Sequence, residues 1–220
     1  MSSIDEHIKK AIVDDFYWDT RIDASDIQVI VENRNVILKG TVPNYVQRME
    51  AVLDAWNAAN VKSVKNEIQV KRLDVKTVPS DEEIKERIEL RLLWNTAIDS
   101  DKINLTVNLG IVTLEGTVDA YWKILRIRDI VASVDGVVDI VSKLVVIPME
   151  DILDKDIAQE IVDTIEPRKL VSVDDVDVKV QNGIVVLKGE VPTYSAYTAA
   201  LDSARYTLGV VDVKNELQIE

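Results

Sequence analysis

Apolar residues recur four apart in three separate stretches: Ile4, Ile8, Ile12 and Phe16, then Ile84, Ile88 and Leu92, then Ile157, Ile161 and Ile165. That spacing keeps one stripe of a helix apolar, so each stretch is predicted to be an amphipathic helix. Ser3-Ile4-Asp5-Glu6 and Ser80-Asp81-Glu82-Glu83 each fit a capping box, in which serine and glutamate satisfy the first free amides. The third stretch has no box and is expected to stop at Glu166-Pro167. Beyond each helix the period changes to two, as in Ile103, Leu105 and Val107 against Asn104 and Thr106, or Val176, Val178 and Val180 against Asp177 and Lys179. Such alternation predicts strands with one buried and one wet face.

A turn follows each first strand. Asn182-Gly183 is a strong two-residue hairpin signal and Leu109-Gly110 a weaker one, because both positions must take positive φ. Asn33-Arg34 departs from the pattern and predicts a longer or strained hairpin. The second strands are then nearly identical: VILKGTV ending at Val42, VTLEGTV ending at Val118 and VVLKGEV ending at Val191. Their glycines, Gly40, Gly116 and Gly189, lie 76 and then 73 residues apart. A second helix is expected after Pro43-Asn44, Asp119-Ala120 and Pro192-Thr193, with Asn44 and Thr193 as caps. It is expected to end at Asn60, Gly136 or Gly209, where glycine, or asparagine in its place, tolerates the left-handed conformation. NEIQV, SKLVV and NELQI, opening at Asn66, Ser142 and Asn215, supply the last strands.

The chain is therefore expected to be α+β, with three tandem small αββαβ domains, each carrying two helices on one face of a three-stranded sheet. The expected spans are 1–76, 77–147 and 148–220. The linkers at 71–79 and 147–154 hold Leu73, Val75, Val78, Met149, Ile152 and Leu153 and no Gly/Ser run, which predicts docked rather than loosely strung units. Ile30, Ile37, Val141, Val145, Ile184 and Val186 are expected to point outward, where apolar side chains suit a partner contact.

Composition narrows the chemistry. The chain has 220 residues, no cysteine and one histidine, so thiolate nucleophiles and Cys-type zinc sites are excluded. His7 has no second histidine or cysteine to work with and reads as an exposed helix residue; there is no G-x-S-x-G elbow. The acidic clusters Asp14-Asp15, Glu150-Asp151 with Asp154 and Asp156, and Asp174-Asp175 with Asp177 lack the spacing of a calcium loop and read as solvated surface and helix N-terminal charge. No enzyme activity, metal or cofactor is expected. Net charge is −13, distributed as −1, −4 and −8 over the three spans. A polyanion such as nucleic acid is repelled most by the third, and no G-x-x-G loop or basic groove is present. The N-terminal stretch has no signal-peptide core and no later segment is long enough to cross a membrane, so a cytoplasmic location is expected, or a periplasmic one if the original N-terminus is missing.

The repeated V-x-L-x-G-x-V followed by G-V-x-x-V-x-N-x-L resembles the BON family (bacterial OsmY and nodulation domain). The third repeat carries both halves most fully, in Val185 to Val191 and Gly209 to Leu217, whereas Ser142 and Asn60 are departures in the other two. The resemblance implies an envelope or stress protein, osmotic stress among them, with phospholipid or a protein as partner. Candidate binding residues are the aromatics that recur after each glycine, Tyr45 and Tyr121, with Trp122 beside the second, and Trp18 and Trp94 at the ends of the first helices. Amphipathic rings there suit a lipid headgroup layer, a protein interface or packing between repeats. Gly40, Gly116, Gly189, Asn66 and Asn215 read as structural, the asparagines as locks tying the last strand to the end of the second helix.

Overall fold

The computed structural model describes residues 2–71, 79–149, 152–165 and 176–220. The first repeat runs α1 (Ser3–Trp18), β1 (Ile27–Glu32), β2 (Asn35–Val42), α2 (Tyr45–Asn57) and β3 (Ser63–Val70). The second runs α3 (Asp81–Leu93), β4 (Ile103–Asn108), β5 (Ile111–Val118), α4 (Tyr121–Ala132) and β6 (Asp139–Val146), with a 3₁₀ turn at Ser100–Lys102 before β4. The third runs α5 (Asp154–Ile165), β7 (Val176–Gln181), β8 (Ile184–Val191), α6 (Tyr194–Tyr206) and β9 (Asp212–Ile219). Three sheets result, ordered β1-β2-β3, β4-β5-β6 and β7-β8-β9.

In the first and third sheets the hairpin pair is antiparallel and the last strand pairs parallel to the second, shown by Leu38 opposite Val29 and Asn66, and by Leu187 opposite Val178 and Asn215. A parallel partner requires a crossover, which the second helix of each repeat supplies. Both helices therefore bury their apolar stripes on one face of the sheet. In the first repeat Ile8, Ile12 and Phe16 of α1 and Ala51 and Ala55 of α2 close over Val29, Val31, Val36, Leu38 and Ile68. Ile84, Ile88 and Leu92, and Ile157, Ile161 and Ile165, hold the same buried places in α3 and α5.

By internal contacts the chain divides into two compact units, Met1–Leu92 with Leu105–Leu114 and Asp129–Val141, and Leu93–Asn104 with Glu115–Arg128 and Ser142–Glu220. The second repeat contributes to both.

The repeated glycine has a steric cause. Gly40 has φ +121°, and a Cβ there would lie 1.8 Å from the carbonyl oxygen of Asp26; at Gly116, φ +133°, it would lie 2.0 Å from that of Lys102. Only a residue without a side chain lets the segment entering the first strand run this close to the second.

Several local expectations need correction. The first capping box is one residue earlier than expected: Ser2 is the cap, its hydroxyl accepting the Asp5 amide at 3.1 Å while Asp5 accepts the Ser2 amide at 3.3 Å. The shorter Asp5, rather than Glu6, fills the acidic position because it also reaches the hairpin. The box at Ser80 and Glu83 forms as expected. Asn33-Arg34 is not a longer hairpin; both residues take positive φ, 50° and 68°, matching Asn182-Gly183 at 52° and 70°. Arg34 bears the strain of that conformation, and its guanidinium Nε donates to the Asn60 carbonyl at 2.7 Å. Asn66 and Asn215 do not tie their strands to the helix end. Each accepts the amide two residues on, Ile68 at 2.9 Å and Leu217 at 3.1 Å, an Asx-type bond within the edge strand. Leu73, Val75 and Val78 of the first linker, the stop at Glu166-Pro167, and Glu150-Asp151 and Asp174-Asp175 lie outside the described residues.

Candidate functional site

Residue spacing decides which aromatics reach the surface. In α1 the buried series ends at Phe16, so Tyr17 and Trp18 fall about 100° and 200° around the helix from it, off the apolar stripe. Trp18 is 78% exposed, and its ring meets Tyr17 edge-on at 5.2 Å. In α3 the buried series ends at Leu92, and Leu93 and Trp94 stand in the same relation to it; Trp94 is 79% exposed. The first two repeats thus present the same two-residue apolar tip at the end of their first helix. The third has Glu166-Pro167 in that place in the sequence.

Tyr45 is different. It is only 5% exposed, the Arg48 guanidinium lies 4.3 Å over its ring, and Arg48 Nη2 donates to Asp139 Oδ1 at 2.9 Å. Its face is consumed by a joint between the start of α2 and the start of β6, so a surface contact through Tyr45 is overturned by burial. Tyr121 and Trp122 are half-buried. Burial pushes the Tyr121 phenol up; Arg205 pulls the other way and Asp212 adds to the rise. Lys123 Nζ sits 5.6 Å from the Trp122 ring centre. In the third repeat Tyr194 stacks on Tyr197 at 6.0 Å, and the Tyr197 hydroxyl accepts from Asn215 Nδ2 at 2.6 Å.

The expected outward apolar residues divide likewise. Val141 and Val145 are exposed, while Ile30, Ile37, Ile184 and Val186 are half-buried, Ile30 and Ile37 being cross-strand partners.

Asp154, expected as solvated or helix N-terminal charge, shares a repeated structural role with Asp5 and Asp81. Asp81 accepts the amides of Leu109 and Gly110 at 2.7 and 2.8 Å, and Asp154 those of Asn182 and Gly183 at 2.8 and 2.9 Å. Asp5 accepts the Arg34 amide at 2.9 Å, and that bond, followed by the one from Ser2, holds its carboxyl below the usual range. The turn carbonyl is held from the other side, accepting the amide of Lys62, Val138 or Val211 from the residue leading into the third strand. Asp5, Asp81 and Asp154 recur at 76 and 73 residues, the glycine period, so comparing repeats would have found them.

The mixed polar cleft beside β5 and α4 has its charges paired internally, Lys102 with Asp99 at 2.9 Å and Lys123 with Asp119 at 2.7 Å, over Val118 and Ile147. His7 is exposed and its Nδ1 faces the Ser3 carbonyl of its own helix. Among the described residues no helix is long and apolar enough to cross a membrane, and no three His, Asp or Glu side chains are placed to hold a metal ion.

Comparison with known proteins agrees with the threefold construction. The family model described as "BON domain" matches residues 4–72, 80–148 and 153–220. The osmotically-inducible protein Y of Escherichia coli (strain K12) is 31% identical over 146 residues, 65% of this chain and 71% of that protein. An uncharacterized protein in the gshII 5′ region of Anaplasma centrale is 32% identical over 120 residues, 54% of this chain and 80% of its own. The C-terminal domain of a structural protein of the type III secretion system of Chlamydia trachomatis aligns over 100% of this chain and 98% of its own at 15% identity, but with a TM-score of 0.27, too low to bear on fold or function.

Proposed function

The chain belongs to the BON-domain family, in three tandem copies, and from that premise we propose that it is a non-enzymatic binding protein of the osmotic-stress response whose first two repeats dock on a phospholipid surface. The observation that carries this reading is the pair of matching exposed tips, Tyr17-Trp18 and Leu93-Trp94. Indole and phenol rings combine a large apolar face with a polar edge, which suits the boundary between headgroups and acyl chains. Such tips have no structural duty, since the cores close at Phe16 and Leu92. Charge favours the first repeat over the third: the first is nearly neutral, with Lys9, Lys10, Lys62 and Lys65 exposed, whereas the third carries −8. Each cation near an anionic leaflet contributes about 1 kcal/mol, and an anion there opposes binding.

The absence of cysteine and the exposed, solitary His7 support a binding rather than a catalytic role. A second reading is a scaffold that binds other proteins and meets no membrane, favoured by the net charge of −13. Co-sedimentation with vesicles of anionic and of zwitterionic lipid, at low and high salt, separates the two. Binding to anionic vesicles that weakens with salt supports the lipid reading, and no binding to either vesicle at low salt leaves the protein scaffold.

A further inference from the structure

The first repeat contains a buried carboxyl that neither its fold nor the docking surface uses. Asp54, in the third turn of α2, is 8% exposed, and its Oδ2 is buried with no hydrogen-bond partner. Asp19, at the C-cap of α1, is held beside α2 by Arg21, whose Nη2 lies 2.6 Å from Asp19 and whose Nη1 lies 2.8 Å from Glu50, one turn before Asp54, and its carboxyl acts on Asp54. Two ionised carboxylates have only acceptors to offer each other, so the pair can bond only when one of them holds a proton.

We propose that Asp54 and Asp19 form a proton-sharing carboxyl pair, an acid-tightened latch joining the end of α1 to α2 in the first repeat alone.

The surrounding charges assign the proton. The groups that act on Asp54 are Asp19 and Asp15 from α1 and its cap, Arg21 from the segment that follows, and Glu50 from α2 itself. Arg21 is the cation among them, and its donors are committed elsewhere. Its Nε reaches Asp19 at 2.9 and 3.1 Å, its Nη2 reaches Asp19 at 2.6 Å, and its Nη1 lies 2.8 Å from Glu50. Asp19 is therefore stabilised as the carboxylate, held below the usual range chiefly by Arg21. Asp54, desolvated and facing Asp19, Asp15 and Glu50, is pushed up to about 6. Asp54 is the acid and Asp19 the acceptor.

Repeat comparison shows that the fold does not require this group. Counting from the strand glycine, the position of Asp54 is Ile130 in the second repeat and Ser203 in the third, and that of Asp19 is Asn95 in the second. Ser203, equally buried, satisfies itself by donating to the Ala199 carbonyl at 2.9 Å. An acid in this place in one copy only gives that copy a titrating group between its helices that Ile130 and Ser203 do not supply in the others.

The direction follows from linkage. A carboxyl whose folded value is raised contributes stability that is complete below its unfolded value of 3.8 and is lost as pH rises through about 6. The joint between α1 and α2 is therefore tightest in acid and loosest above neutrality.

The full-length chain tests this through the side-chain carboxyl ¹³C shifts of its aspartates and through urea unfolding between about pH 5 and about pH 8. The expected result is one aspartate titrating near 6, absent from the spectrum of Asp54→Asn, and an unfolding constant of the first repeat that rises roughly tenfold across that interval. Asp54→Asn should flatten the interval, and so should Asp54→Ser, which copies the third repeat. His7→Gln removes the histidine that titrates in the same window and should leave the effect intact. Asp54 titrating at its ordinary 3.8 in the wild-type protein, a measurement that needs no variant to fold, would overturn the proposal. So would an Asp54→Asn protein that keeps the wild-type pH slope.

Discussion

The carboxylate of Asp81 accepts the amide of Gly110 at 2.8 Å, fastening the first turn of α3 to the turn between β4 and β5. Asp154 and Gly183 repeat the bond at 2.9 Å. The turn's two amides point away from the hairpin ladder, and the same carboxylate takes both, so the hairpin and the helix start are registered against each other. Asparagine has a single acceptor oxygen and would face the second amide with a donor. Asp81→Asn is accordingly expected to cost about 1–3 kcal/mol in urea unfolding and to speed exchange of the Leu109 and Gly110 amides. Unchanged exchange of both amides would show that the bonds do not hold the turn.

Asp5 makes the corresponding bond in the first repeat, and it adds a pH signature. Its carboxyl is held low by the Arg34 amide first and the Ser2 hydroxyl second, so its contribution is complete above the unfolded value of 3.8 and disappears as pH falls through the lower folded one. Protection of the Arg34 amide should therefore persist below pH 3.8 and collapse only in stronger acid. Loss of protection at or above 3.8 would mean that the bond does not favour the charged form.

Much of this was readable in the chain, and the failures have physical causes. Helix periodicity, the strand glycines and the left-handed conformation of Asn60, Gly136 and Gly209 are local properties, each dictated by one residue's own geometry, and the structure has them, but the second helices end earlier than expected, at Asn57, Ala132 and Tyr206, with extended caps at Ala58 and Thr207. Asn33-Arg34 was harder because the strain of a non-glycine in a left-handed turn is offset by groups distant in sequence, Asp5 and Asn60. Tyr45 shares its sequence position with Tyr121 and Tyr194, yet its burial depends on Arg48 and Asp139, a pairing that no local pattern encodes. The exposed tips carry a usable signal: Tyr17 and Leu93 follow the last residue of a four-spaced apolar series, which sets them, with Trp18 and Trp94, off the buried stripe.

Gly40 and Gly116 give the sharpest steric test. An added Cβ would meet a backbone carbonyl at 1.8 or 2.0 Å, and backbone, unlike a flexible side-chain end, cannot swing aside. The positive φ adds strain of order 1–3 kcal/mol for any other residue. Gly40→Ala and Gly116→Ala should each lower the unfolding midpoint substantially or prevent folding of the repeat concerned. A variant as stable as the wild type would mean that the two chain segments are not held this close.

Arg48 and Asp139 connect the first repeat to a strand of the second, and their side chains are partly screened from water, at 18% and 48% exposure. Most surface ion pairs add little, but this guanidinium is also stacked on Tyr45, which fixes its direction. A double-mutant cycle with Arg48→Met and Asp139→Asn should return a coupling of about 0.5–2 kcal/mol. A coupling indistinguishable from zero would reduce the contact to an incidental surface pair.

If lipid is bound, its contact should depend on Trp18 and Trp94 and not on Tyr45. Both tryptophans are about four-fifths exposed and stand one place beyond an equally positioned apolar neighbour, whereas the Tyr45 ring is enclosed under Arg48. Trp18→Ala together with Trp94→Ala should weaken binding to anionic vesicles several-fold while leaving the unfolding curve nearly unchanged, because neither side chain contributes to a core. Tyr45→Phe should leave vesicle binding unaltered. Charge supplies the independent arm: reversing Lys9 and Lys10 to glutamate in the nearly neutral first repeat should reduce binding and flatten its salt dependence, each lost cation removing about 1 kcal/mol near the surface. Converting Lys188 and Lys214 of the third repeat, already at −8, should change little. Binding that survives the double tryptophan replacement but vanishes with Lys188 and Lys214 would place the contact on the third repeat and reverse the assignment.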